Sequence, residues 1–273
     1  MTTRRDFIKT LAALPTALAA GHTATATAQP SRLALVIGNG AYRGNPLDNP
    51  TNDAKAVAAL LGDAGFKTDL RLDAAYADMN SALERFTLAA KQEEAQLVVF
   101  YYAGHGVQLD WRNYLLPVDA VVEKAEDIKQ RCVDLNQLLT RLDAAKERNF
   151  VIVLDACRNN PFGSQYRPAQ KGLSQFDAPA GSLLAYATAP GNVASDGTGK
   201  NGLYTEHLIQ ELCRPDTRIE DALKRVRLKV RLASRGAQIP WETTSLENDV
   251  YLFPTARAIL SEDEIEQLAE TEL

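Results

Sequence analysis

His105 and Cys157 are the residues of this sequence whose types suit covalent chemistry. A thiol attacks as thiolate, and its ordinary pKa near 8.5 leaves only a few per cent ionised at neutral pH, so it needs a neighbouring base. Histidine is the side chain suited to that work. Beyond residue 28 the chain has two histidines, His105 and His207, and three cysteines, Cys132, Cys157 and Cys213. His207 stands in the helical run Tyr204–Leu208 and reads as an ordinary helix-face position. His105 ends "LVVFYYAGHG" (Leu97–Gly106), with a glycine on each side, and Cys157 follows the apolar run of "VLDACRNNP" (Val153–Pro161). Three cysteines permit at most one internal disulfide. Whether Cys132 and Cys213 pair, leaving Cys157 over, or all three stay free is open at this level.

The elements that must position this pair follow from hydrophobic periodicity. Continuous apolar runs at Leu33–Ile37, Leu97–Tyr102, Phe150–Leu154 and Ser182–Ala187 read as buried strands. Lys67–Leu72 alternates and reads as a strand nearer an edge, and Val250–Phe253 closes the series. Helical patterns cover Asn52–Ala64, Asp78–Gln92, Asp134–Lys146, Leu203–Leu212 and Ile219–Ala233. Strands alternating with helices predict an α/β domain with a mostly parallel six-stranded sheet and helices on both faces. Chemistry in such sheets sits beyond the carboxyl ends of the strands. His105 falls just past the third strand and Cys157 just past the fourth.

Composition narrows the class. With 273 residues, 45% hydrophobic and 24% charged, the chain can bury a sizeable core, and its net charge of −5 argues against a nucleic-acid partner. The first residues carry Arg4, Arg5 and Lys9, then an apolar run Leu11–Ala20, then Ala26-Thr27-Ala28. Those are the regions of a signal peptide, and the paired arginines resemble a twin-arginine (Tat) leader over residues 1–28. Its apolar run is too short, and too interrupted by Pro15, for a stable membrane span. The expected location is therefore periplasmic or extracellular. The segment 158–180 is a long Pro/Gly/Gln-rich loop, and the tail 257–273 holds six acidic residues.

Around Cys157 the chain resembles the caspase-like cysteine peptidases, most closely the metacaspases, paracaspases and their bacterial relatives. The caspase signature is Gln-Ala-Cys, then Arg, Gln or Gly, then Gly, with its histidine about 50 residues upstream. Here "DAC" follows an apolar strand and His105 lies 52 positions upstream, with Asp155 in place of the glutamine and Asn159 in place of the glycine. The resemblance spans residues 32–253 and implies a caspase-like fold and a peptidase domain over 29–256. It implies Cys157 as nucleophile, His105 as the group that manages the proton, and the backbone N–H groups of Gly106 and Cys157 as an oxyanion hole. It also implies that Asp155, with Asp53 of Asn52-Asp53-Ala54, recognises Arg or Lys before the cut bond.

Several features carry less. Gly38–Gly44 departs from a dinucleotide loop pattern. The resemblance requires no cofactor. Many metacaspases need Ca²⁺, and Asp110, Asp119 and Asp127 follow His105 without EF-hand spacing. "QIPWETTSL" (Gln238–Leu246) resembles a segment near the substrate groove, where Trp241 would contact substrate or pack in the core. Lys171 and Arg167, in the loop after Cys157, are candidate self-cleavage sites, with Lys171-Gly172 the cleaner bond because Pro168 follows Arg167. A catalytically silent caspase-fold binding module and a non-peptide acyl hydrolase are the rival readings. The oligomeric state is open.

Overall fold

The computed structural model describes residues 31–92, 95–143, 148–157, 162, 173–174, 180–189 and 199–255, with backbone alone at Asp143 and Cys157. The strands are β1 (Arg32–Gly38), β2 (Lys67–Leu72), β3 (Leu97–Leu109), β4 (Arg112–Leu115), β5 (Val133–Asp134), β6 (Asn149–Cys157), β7 (Ser182–Tyr186) and β8 (Trp241–Thr244). The helices are α1 (Pro50–Asp63), α2 (Tyr76–Gln92), α3 (Ala125–Arg131), α4 (Leu135–Asp143), α5 (Leu203–Leu212) and α6 (Ile219–Ala233). Six strands lie in the order β2-β1-β3-β6-β7-β8, with β4 pairing β3 and β5 pairing β4 to the side. All main-path pairings are parallel except β7 with β8. This is an α/β architecture with a mostly parallel sheet, as the sequence predicts.

The apolar runs are continuous because both sheet faces are covered. Leu35, Phe100, Tyr102, Ile152 and Leu154 face α2 and α4, among Met79, Phe86 and Leu138. Their sequence neighbours Val36, Val99, Tyr101, Val151 and Val153 face α1, α5 and α6, among Val57, Leu208 and Val226. Period two thus divides each central strand between two cores. Helix α6 buries Ile219, Ala222, Leu223, Val226 and Val230, the spacing of an amphipathic stripe. Among the described residues no helix is long and apolar enough to cross a membrane.

Three expectations need correction. The third strand does not stop at Tyr102: it runs to Leu109, so His105 lies within it. Its outer half leaves the main sheet to pair antiparallel with β4, a short strand whose sequence, Arg-Asn-Tyr-Leu, carries no apolar run. Cys157 is the last residue of β6 rather than a residue beyond it. Finally, Val250–Phe253 is no strand of the sheet. Val250 and Leu252 are buried against the α6 side, so packing produces the alternation, and Tyr251 makes one isolated bridge to Arg218. The sixth strand is Trp241–Thr244, a polar edge segment.

The turn after β1 sets the height of α1. A Cβ on Gly38 would lie 2.3 Å from the Pro50 carbonyl oxygen and 2.5 Å from Ala54 Cβ, so only glycine lets the helix start so close to the strand end. Buried Asn39 then ties three segments together: it accepts from Ala74 N (2.9 Å) and donates to Leu116 O (3.0 Å), while its own N–H donates to Ala103 O (2.9 Å). The glycine-rich stretch is thereby explained as packing.

Candidate active site

β3 and β6 are the two central strands, and they pair in parallel with Ala103 opposite Asp155 and His105 opposite Cys157. Neighbouring strands lie about 4.8 Å apart, so His105, inside β3, and Cys157, the last residue of β6, occupy adjacent backbone positions. The residue types read from sequence as a nucleophile and its base are brought together by the register alone.

His105 is held from several sides and is only 1% exposed. Its Nε2 lies 2.8 Å from the Asn45 carbonyl oxygen. A carbonyl can only accept, so Nε2 carries the proton, and the lone pair of the neutral ring is on Nδ1. The ring packs tilted against Tyr42, with centroids 4.5 Å apart. The backbone is fixed as firmly: His105 N donates to Tyr42 Oη (3.0 Å), Tyr102 Oη donates to His105 O (2.7 Å), and Leu116 N donates to the same carbonyl (3.0 Å). Tyr42 Oη in turn donates to Leu116 O (3.1 Å).

This network explains the two flanking glycines differently. Gly104 has φ +152°, and a Cβ there would lie 2.6 Å from Tyr42 Oη and 2.7 Å from Tyr102 Oη. Gly104→Ala is expected to cost about 3 kcal/mol, through backbone strain together with displacement of both hydroxyls. Gly62→Ala, at an open helical position, should be neutral or slightly stabilising. Urea denaturation of the two variants beside the parent checks this, and equal midpoints would refute it. Gly106 is a matter of space: a Cβ would come within 2.9 Å of Leu173 Cδ2 and 3.2 Å of Ala156 Cβ. Its strand partner is Leu115.

The two carboxylates read from sequence also converge. Asp53, in the first turn of α1, is 3% exposed and accepts hydrogen bonds from Asn201 Nδ2 (2.8 Å) and Gly202 N (2.9 Å). Asp155 Oδ2 accepts from Thr205 Oγ1 (2.7 Å), and Thr205 Oγ1 lies 2.6 Å from Tyr101 Oη. Gly202 caps α5 and Thr205 stands in its first turn, so one helix N-terminus engages both acids, where its dipole favours negative charge. Burial first, then the charges of Asp155 and Asp53, push the Tyr101 phenol well above its ordinary range.

Sequence reasoning missed the residues that do this holding. Tyr101 reads as strand core, and Asn45 acts through its backbone, which no residue type announces. Asn201 and Gly202 stand just before the apolar helical run, and nothing in their types marks them as partners of a residue 148 and 149 positions away.

The remaining candidates divide plainly. His207 lies on α5 with Nδ1 3.3 Å from Gln210 Oε1 of its own helix. Cys132 and Cys213 are free thiols, so they do not pair. Burial pushes the Cys132 thiol up to about 12, which removes it as a nucleophile. Trp241 is an exposed residue of edge strand β8, outside the core. Asp110 pairs with Lys129 (2.8 Å), Asp119 accepts from Tyr76 N (2.9 Å), and Asp127 accepts from Glu123 N (3.0 Å), each in a separate local role. Among the described residues no group of three or more His, Cys, Asp or Glu is placed to hold a metal ion. Lys171, Arg167, the leader and the acidic tail lie outside the described residues.

Comparison with known proteins points to one family. A family model described as the caspase domain matches residues 31–251. Mucosa-associated lymphoid tissue lymphoma translocation protein 1 of Homo sapiens is 28% identical over 161 residues, covering 59% of this chain and 19% of that protein. Its Mus musculus homolog is 28% identical over 169 residues, 60% of this chain and 19% of its own length. The matched region thus spans about a fifth of either relative.

Proposed function

The chain belongs to the caspase-domain family of cysteine peptidases, and from that premise we propose that it is an endopeptidase that cuts after Arg or Lys with a His105/Cys157 dyad. The observation that supports this most is the strand register that seats His105 opposite Cys157 beside two carboxylates. His105 takes the Cys157 thiol proton at Nδ1, and the thiolate attacks the peptide carbonyl, forming a C–S bond as the carbonyl π pair moves onto oxygen. As the tetrahedral intermediate collapses, protonated His105 gives its proton to the leaving amine and the C–N bond breaks. His105 then takes a proton from water, whose oxygen attacks the thioester and releases the acid and the thiol. The Asn45 carbonyl, accepting from Nε2–H, steadies the imidazolium through both steps. The N–H groups of Gly106 and Cys157 receive the developing oxyanion.

Asp53 and Asp155 receive the guanidinium or ammonium of the residue before the cut bond. The reading needs no cofactor; Ca²⁺ enters as an assay condition. It includes export through the twin-arginine route, on the strength of the Arg4-Arg5 leader, and processing of the chain's own Lys171-Gly172 or Arg167-Pro168 bond.

The test is fluorophore release from short peptides ending in Arg, Lys, Asp or Ala, with reductant, with and without Ca²⁺, for the parent and Cys157→Ala. Cleavage confined to Arg and Lys peptides, and lost in Cys157→Ala, is the expected result. Cleavage after Asp alone would overturn the pocket assignment. Silence on every peptide from folded protein would favour a binding module, and turnover of esters without amides a non-peptide hydrolase.

A further inference from the structure

We infer that Tyr101 and Thr205 are specificity-positioning residues, a directed hydrogen-bond relay running from the sheet core through the first turn of α5 to fix Asp155 for a cationic substrate side chain. The inference rests on the reading of Asp53 and Asp155 as the pocket for Arg or Lys.

The direction of the relay follows from donor counting. An ionised carboxylate only accepts, so the Thr205 hydroxyl spends its single proton on Asp155 Oδ2 at 2.7 Å. Tyr101 Oη, 2.6 Å from Thr205 Oγ1, must then be the donor in that contact. The chain reads Tyr101 O–H to Thr205 O–H to Asp155. Its first two members are fully buried at 0% exposure, where water cannot stand in for either hydroxyl. The elevated Tyr101 titration keeps the phenol protonated and able to donate across the working range.

Geometry separates the relay from the chemistry. Tyr101 lies one pleat below Ala103, the residue opposite Asp155, and two pleats below His105. It therefore approaches the pocket from beneath. Thr205 comes from α5, the helix whose start also holds Asp53 through Asn201 and Gly202. α5 is thus the common clamp on both acids, and Thr205 is its contact to the one on β6. Loss of the relay should loosen Asp155 and weaken recognition of positive charge, while the His105/Cys157 pair keeps its register.

The experiment compares the parent, Thr205→Val, Thr205→Ser and Tyr101→Phe on paired peptides ending in Arg or in citrulline, its neutral isostere. The ratio of kcat/KM for the two isolates charge recognition from general damage. Alkylation by iodoacetamide, read at the Cys157 peptide by mass spectrometry because the exposed Cys213 also reacts, reports that thiol independently. Thr205→Val is expected to reduce the Arg/citrulline ratio by about tenfold to a hundredfold, mainly through KM for the Arg peptide, with alkylation unchanged. Thr205→Ser, which restores the hydroxyl, should return to within about threefold of the parent, and Tyr101→Phe, which keeps the ring, should fall between.

An unchanged ratio in Thr205→Val and Tyr101→Phe would overturn the relay and leave the pocket standing. Equal losses in the Val and Ser variants would also overturn it, since packing rather than the hydroxyl would then matter. A parent enzyme that does not prefer Arg to citrulline would overturn the pocket and the relay together. If Thr205→Val does not fold, the Ser and Phe variants decide alone: a ratio held in Ser and reduced in Phe supports the relay, and any other pattern refutes it.

Discussion

His105→Ala is expected to lower kcat/KM by about 10³ to 10⁴, the size of the contribution that a positioned acid–base group makes to bond cleavage. In the proposed mechanism the imidazole has two jobs in sequence, protonating the leaving amine and then activating water, and alanine does neither. Cys157 keeps its place on β6 in this variant, because the strand pairing that seats it is a backbone feature. Iodoacetamide should therefore still label Cys157, at a rate reflecting a thiol without its base, with the label followed by peptide mass spectrometry because the exposed Cys213 also reacts. Removing a buried ring that packs on Tyr42 also costs stability, so the comparison belongs at a temperature well below the unfolding transition. Turnover within tenfold of the parent, on peptides and with folded protein, would remove His105 from the mechanism. A matching Cys157→Ala variant should be silent.

Legibility in the sequence followed from how local each signal was. Leu203–Leu212 and Ile219–Ala233 were read to the residue, because an apolar stripe and a defined start mark α5 and α6 from within. The buried central strands were read through their apolar runs. β4 and β5 were not, since their pairing is set by the hairpin with β3 and not by their own composition. Val250–Phe253 misled for the complementary reason: Val250 and Leu252 alternate inward against α6 without a ladder. At the site, the types of His105, Cys157, Asp53 and Asp155 were visible, but His105 lies inside β3 and not past its end. Their support was not visible. Tyr42 reaches forward 63 positions to hold His105 N, and Thr205 reaches back 50 to hold Asp155, and only the folded chain makes such pairs neighbours. Gly104 was conspicuous as a residue type, yet its reason, two tyrosine hydroxyls crowding the missing Cβ, belongs to tertiary structure.

Asp155→Asn should lower kcat/KM for Arg peptides by about 10² to 10³, the range for truncating one partner of a desolvated, hydrogen-bonded charge pair. The change is nearly isosteric, and the asparagine carbonyl can still accept from Thr205, so the fold and α5 should hold. What is lost is negative charge facing the substrate cation. The effect should therefore vanish on peptides ending in Ala, for which Asp155 has no opposite charge to meet. Asp53→Asn should also weaken Arg cleavage, but it is the less clean variant, because Asp53 Oδ1 accepts from Asn201 and Gly202 at the start of α5 and its loss disturbs that tie. A neutral asparagine beside the substrate still binds dipoles, so some preference for long polar side chains should survive Asp155→Asn, whereas the sharp advantage of Arg over citrulline should not. Kinetics on Arg, citrulline and Ala peptides separate these outcomes. Equal losses on all three would mean that Asp155 supports the strand end at Cys157 rather than the substrate, and recognition of basic residues would then have to come from elsewhere in the groove.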